Sequence, residues 1–120
     1  MAVKRVTSML LVSDVPATVV RYKQQGFRAF PTDEPDCVGL VAEATHTGII
    51  VLGQTFATRT MPAGAVEELR KGVGVYIWVD SLGDVASNGS LLGEIETSHG
   101  TRERYMREDG GLVTYAEQLA

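Results

Sequence analysis

Apolar residues along the chain recur first at a strand period, then at a helix period, then at a strand period again, and this order occurs twice. Residues 3–12, "VKRVTSMLLV", are rich in Val with polar residues interspersed, which predicts a strand. Asp14 and Pro16 follow. Asp is a strong N-cap and Pro is tolerated in a first helical turn. In "PATVVRYKQQ", Val19, Val20 and Tyr22 fall largely on one side and Gly26 closes the run, so a helix is predicted over 15–25. Three strands follow: "FRAFP" at 27–31, "CVGLVAEA" at 37–44 and "IIVLG" at 49–53, with the turn segments "TDEPD" and "THTG" between them.

Residues 54–72 form a connection, broken by Pro62 and Gly64, in which "AVEELRKG" makes about two turns of helix closed by Gly72. The pattern then resumes. "GVYIWV" at 74–79 is a strand by its Val, Ile and aromatic content. Asp80 is placed to cap "SLGDVASN", where Leu82, Val85 and Ala86 show i, i+3, i+4 spacing, with Asn88-Gly89 ending the helix. "GEIET" at 93–97, "RERYMR" and "LVTYA" are strands, the last two joined at Asp109-Gly110, a strong hairpin signal. The chain is therefore an α+β protein and one domain, with βαβββ modules at 3–53 and 73–118 joined by 54–72. An Asp closes the first strand of each module, in "VSD" at 12–14 and "WVD" at 78–80. A single ferredoxin-like sheet with two helices is the alternative.

Strand parity sorts the side chains. Val75, Ile77 and Val79 share one face and suit packing under helices, whereas Gly74, Tyr76 and Trp78 share the other. A Tyr and a Trp side by side, away from the helices, are a ligand surface or plain core. Thr7, Met9 and Leu11 form one set in the first strand, and Leu112, Thr114 and Ala116 one set in the last.

Charge and composition narrow the partners. With 120 residues the chain suffices for one core, and its net charge of −4 with scattered cations excludes a nucleic-acid footprint. The apolar start is too short and broken for a signal peptide, and no run approaches the roughly 18 apolar residues of a membrane span. A cytoplasmic protein is expected. The single Cys37 rules out an internal disulfide and a cysteine metal cluster, and it reads as a small buried hydrophobe.

The stretches "SMLLVSDVPATVVRYKQQGFRAF", "VYIWVDSLGDVA" and "HGTRERYMREDGGLVTYAE", taken in order, resemble the vicinal-oxygen-chelate superfamily, which includes glyoxalase I, extradiol dioxygenases and bleomycin-resistance proteins. The last stretch is similar to that family's habitual ending, with "REDGG" where the family has Arg-Asp-Pro-Asp-Gly. The resemblance implies that each module curls into half a cup and that two halves close around a cavity. In catalytic members four inward His or carboxylate side chains hold a divalent metal that acts as a Lewis acid. Counting from Asp14, Asp80 and Gly110, three of those positions fall on Thr7, Gly74 and Thr114, and "IIVLG" offers no acid or His at the fourth. Hydroxyls are poor ligands and Gly has none. No metal is expected. "GxGxxG" and Walker motifs are absent, so no cofactor is expected either.

The resemblance then implies a non-catalytic member of the bleomycin-resistance type, binding a planar, antibiotic-like small molecule and assembling as a homodimer. Tyr76 and Trp78 would stack on the ligand, Met9, Leu11 and Leu112 would form apolar walls, and Thr7, Thr114 and His99 would supply hydrogen bonds. His46 reads as a solvated turn residue, and His99 as either a polar contact at the cavity mouth or surface. Glu94 and Glu96 share a strand face and read as partners of Arg102 or Arg104, and "RERYMRED" as a charged edge. The competing functions are a metal-dependent lyase, isomerase or dioxygenase with an atypical site, and an interaction module without a pocket.

Overall fold

The structure, a computed structural model, describes residues 3–32, 34–45, 47–85, 89–98 and 100–119. Eight strands form one sheet: β1 (Val3–Val12), β2 (Arg28–Pro31), β3 (Cys37–Ala42), β4 (Thr47–Gly53), β5 (Gly74–Val79), β6 (Ser90–Glu96), β7 (Thr101–Glu108) and β8 (Gly111–Gln118). Their order is β2-β3-β4-β1-β5-β8-β7-β6. Each module orders its strands alike, with its first strand parallel to its fourth, and the modules join where β1 runs antiparallel to β5. This is the two-module cup, not a ferredoxin-like sheet.

Helix α1 (Val15–Gln24) forms as its caps predict. The Asp14 side chain accepts from the Ala17 N–H at 3.0 Å, and Pro16 sits in the first turn. Val15 packs with Leu40 and Val51 on the outer face of the first module. At the other end of the chain, Asp109 and Gly110 have φ of 52° and 80°, the left-handed pair of a two-residue hairpin turn between β7 and β8.

Two departures from the sequence pattern matter. The spacing predicts a helix capped by Asp80 over 81–88. The structure has instead a 3₁₀ turn at Leu82–Asp84, capped by the Ser81 side chain, which accepts from the Gly83 N–H; positions 86–88 lie outside the described residues. The turn is held from the sheet. Glu117 accepts from the Leu82 N–H at 3.2 Å, and Arg104 donates to the Leu82 carbonyl at 3.0 Å. Leu82 then packs against Val79, Met106 and Tyr115 on the outer face of the second module.

The second departure lies in 54–72, which holds two helices, α2 (Gln54–Thr60) and α3 (Ala63–Lys71). They pack on the inner face of the sheet, the face of Tyr76 that parity alone leaves free of helices. Ala57, Met61, Ala65, Val66 and Leu69 form one cluster with Met9, Leu52, Tyr76, Tyr105 and Leu112. A bulge between Leu91 and Gly93 in β6 brings Leu92 against the same cluster. Glu68 of α3, 6% exposed, ties the helix down: Lys71 donates to it at 3.0 Å and Arg107 of β7 lies at 3.2 Å. Those two hydrogen bonds hold its carboxyl below the usual carboxylate range.

The start of α2 is set from outside the helix. Gly53 offers no side-chain cap; instead the Asp36 carboxylate accepts from the Phe56 N–H at 3.0 Å. That carboxylate occupies the space a side chain at 53 would need, since a Cβ there would lie 1.9 Å from Asp36 Oδ1. Asp36→Ala is expected to cost about 1–2 kcal/mol, the worth of a helix cap. Gly53→Ala, which displaces the same carboxylate, is expected to cost at least as much, and the double variant less than the sum. Chemical denaturation of the three variants measures this, and fully additive losses would refute the shared cap.

Candidate functional site

The inner face carries a hollow of about 520 Å³. Its floor is Tyr76 and Trp78 of β5, Ile50 of β4 and Cys37 of β3; Phe56, Arg59 and Thr60 of α2 form one wall. The opposite wall comes from β6, β7 and the turn between them, with Ile95, Thr97, Thr101 and Glu103, and Thr32 and Glu34 form the rim of the first module. A smaller hollow of about 370 Å³ lies beside it, over Thr7, Gly48 and Phe30. Tyr76, Trp78 and Ile50 border both. Both hollows are lined by the two modules of a single chain.

β5 places the aromatic floor by alternation. With Ile77 turned outward against Val79 and Leu82, Tyr76 and Trp78 must both turn inward. Their rings meet edge to face at 5.6 Å between centroids, inclined at 63°. Trp78 is half-buried, and the guanidinium of Arg5 stands 5.7 Å from its ring centroid.

The chemistry of the larger hollow centres on Glu103, a residue that "RERYMRED" disguises as part of a charged edge. One carboxylate oxygen accepts a hydrogen bond from the Tyr76 hydroxyl and the other from the Tyr105 hydroxyl. No Lys or Arg pairs with Glu103 among the described residues, whereas Glu34 and Glu96 at the rim pair with Arg59 at 2.6 Å and Arg102 at 2.8 Å. Glu94 pairs with Arg104 at 3.0 Å on the outer side. Burial, reinforced by the Glu103 charge and by the hydrogen bond to it, drives both phenols far above the ordinary tyrosine range. Burial also pushes the Cys37 thiol up to about 11, so it is a thiol and not a thiolate at neutral pH.

The site residues expected from sequence divide three ways. Tyr76, Trp78 and Thr7 border the hollows. Met9, Leu112 and Thr114 are 3%, 2% and 0% exposed and lie under α2 and α3, while Leu11 packs against the edge of the same cluster. His99, like His46, lies outside the described residues.

No protein-family model matches the chain, and no curated protein matches it. Solved structures do, and they define its fold as that of the glyoxalase/bleomycin resistance/dioxygenase superfamily. A superfamily member from Vibrio splendidus aligns at TM-score 0.58 and 16% identity, covering 98% of this chain and 100% of its own. Methylmalonyl-CoA epimerase from Mycobacterium tuberculosis aligns at 0.59 and 12%, covering 98% and 88%. A hypothetical protein from Bacillus halodurans aligns at 0.67 and 13%, covering 100% and 97%. At these identities the likeness is one of fold.

The divalent metal that the fold family implies does not fit the residues at its positions. At Gly74 a Cβ would lie 3.0 Å from Leu69 of α3 and 3.5 Å from Leu112 and Met9, so that point of the sheet is closed by apolar packing. The Thr114 hydroxyl is wholly buried and meets only the Met9 sulfur, at 3.8 Å. The Thr7 hydroxyl is buried without a hydrogen-bond partner among the described residues. Among the described residues no three His, Cys, Asp or Glu side chains are grouped to hold an ion.

The phenol shifts carry a pH dependence. A folded-state pKa raised above the ordinary tyrosine value of 10.0 contributes stability that is complete below that value and is lost as pH rises above it. Tyr76 and Tyr105 are therefore expected to yield no phenolate absorbance until the protein unfolds at alkaline pH. Absorbance at the phenolate band, followed beside circular dichroism, checks this, with Tyr76→Phe and Tyr105→Phe assigning the missing signal. Phenolate from either residue in the folded protein would contradict the geometry.

Proposed function

We propose that the chain is a non-catalytic binding protein of the bleomycin-resistance type, taking a planar or aromatic, antibiotic-like small molecule into the larger hollow. The observation that carries this is the inward pair Tyr76 and Trp78, faced by Phe56 across a hollow of about 520 Å³. Such a volume suits a small ligand, and aromatic side chains in its lining favour a flat one. The chemistry of the lining agrees. Cys37 is held as a thiol, and the rim carboxylates are engaged with arginines. A metal-dependent enzyme of the same fold would need donors where this chain has Thr7, Gly74 and Thr114.

Trp78 is the single tryptophan, so its emission reports on the hollow directly. Acridine, a neutral planar probe in mildly alkaline buffer, is expected to quench it saturably. Trp78→Leu, followed by equilibrium dialysis, is expected to weaken acridine binding about tenfold while leaving the far-ultraviolet circular dichroism unchanged. Quenching that never saturates, or dialysis affinity untouched by the substitution, would sink the reading. The homodimer implied by the resemblance is part of the same proposal. Sedimentation equilibrium is expected to give twice the chain mass of 12.9 kDa, and a monomer at all concentrations would remove that part while leaving the single-chain hollow intact.

A further inference from the structure

We infer that the ligand of the larger hollow carries a positive charge and that Glu103, clamped by Tyr76 and Tyr105, is the residue that selects it. The inference rests on the proposed binding function and adds the ligand's charge class. It stands on the local account of charge. Of the three carboxylates bordering the hollow, Glu34 and Glu96 are met by Arg59 and Arg102, and both pairs sit at the rim with Arg59 and Glu96 exposed. Glu103 is the third. Its donors are neutral phenols, which orient a carboxylate without cancelling its charge. Arg5, the nearest guanidinium to the aromatic floor, is exposed and borders the smaller hollow rather than the larger one.

The phenols do more than satisfy the carboxylate. Each oxygen uses one lone pair on a tyrosine, so the remaining lone pairs are left for a guest, and the side chain is held in one orientation before the guest arrives. Tyr105, 2% exposed, works from behind as a positioning residue; Tyr76 belongs to the floor itself. Burial and the Glu103 charge keep both phenols protonated, so the clamp stays a donor clamp across the neutral range.

The surrounding rings add to the preference. The face of an aromatic ring attracts cations. Two rings of this hollow already do so: Arg5 lies 5.7 Å from the Trp78 ring and Arg59 5.7 Å from the Phe56 ring. A planar cation placed among Phe56, Tyr76 and Trp78 would meet three ring systems and one oriented carboxylate in a site half-closed to water, where charge attraction is strengthened.

Two probes of nearly equal shape test this: acridine, uncharged in mildly alkaline buffer, and N-methylacridinium, a permanent cation, each titrated against Trp78 emission. N-methylacridinium, which has no N–H and meets Glu103 by charge alone, is expected to bind the unaltered protein roughly tenfold more tightly than acridine, and the preference is expected to shrink with added salt. Glu103→Gln is expected to remove most of that preference, leaving only the contribution of the rings, while acridine itself is unchanged. Should Glu103→Gln not fold, Glu103→Asp, which withdraws the carboxylate by one methylene, is expected to reduce the preference several-fold with acridine again unchanged. Equal affinity of both probes for the unaltered protein would overturn the inference and leave the binding function standing. A preference undiminished by both substitutions would place the charge elsewhere and also overturn it. If neither probe quenches Trp78, the binding function fails and the inference falls with it.

Discussion

Leu69 pressed against Gly74 is the contact on which the inner face of this protein depends. It is where α3 meets the middle of the sheet, and it can be so close because position 74 has no side chain: a Cβ there would stand 3.0 Å from Leu69 Cδ1. Around it Met9, Leu112 and Tyr105 close into a dry cluster with the inner sides of both helices. Burial of a single Leu is worth about 1.5–3 kcal/mol, so a cluster of this size dominates the energetics of the face. The part of the inner face under α3 is thereby converted into core. The larger hollow lies beside it, between α2 and the β6–β7 turn, where Trp78 is only half-buried.

The same packing explains why the metal positions are empty of chemistry. A cation needs oxygen or nitrogen donors with room to converge, and the place where the fold would supply them is occupied by leucines and a methionine. The polar feature that remains, Glu103, sits further along the sheet and is supported by hydroxyl donors rather than by basic side chains. A buried or half-buried carboxylate is costly unless its oxygens are bonded, and two phenols meet that need without adding charge.

Much of the fold was legible because it is written locally. The Asp14 cap, the Asp109-Gly110 turn and the alternation in β5 are short-range signals, and each appears in the structure where the pattern places it. The features that escaped are those whose cause lies far away in sequence. Helix α2 begins at a glycine with no local cap, its first turn bonded to Asp36 from the other side of β4. The turn at Leu82–Asp84 is held by Glu117 and Arg104 from β8 and β7, so a spacing that suggested a longer helix serves instead to seat Leu82. Glu103 was within reach of parity, which puts it on the same side of β7 as Tyr105 and opposite Arg102 and Arg104. The density of charge in "RERYMRED" hid that difference. Parity likewise assigned Met9, Leu112 and Thr114 to the inner face, but nothing local foretold that two helices would cover them.

The Asp36 cap is one of two ties between the rim of the first module and the α2 wall. Thr32 and Glu34 of the rim lie just before Asp36, and Phe56, whose backbone Asp36 holds, stands on the facing wall. Arg59, one helical turn further on, returns the link by pairing with Glu34. Rim and α2 wall are thus stitched together at two points, one through the backbone of Phe56 and one through the Glu34–Arg59 pair, so a substitution that loosens either tie leaves the other to hold the two parts in register.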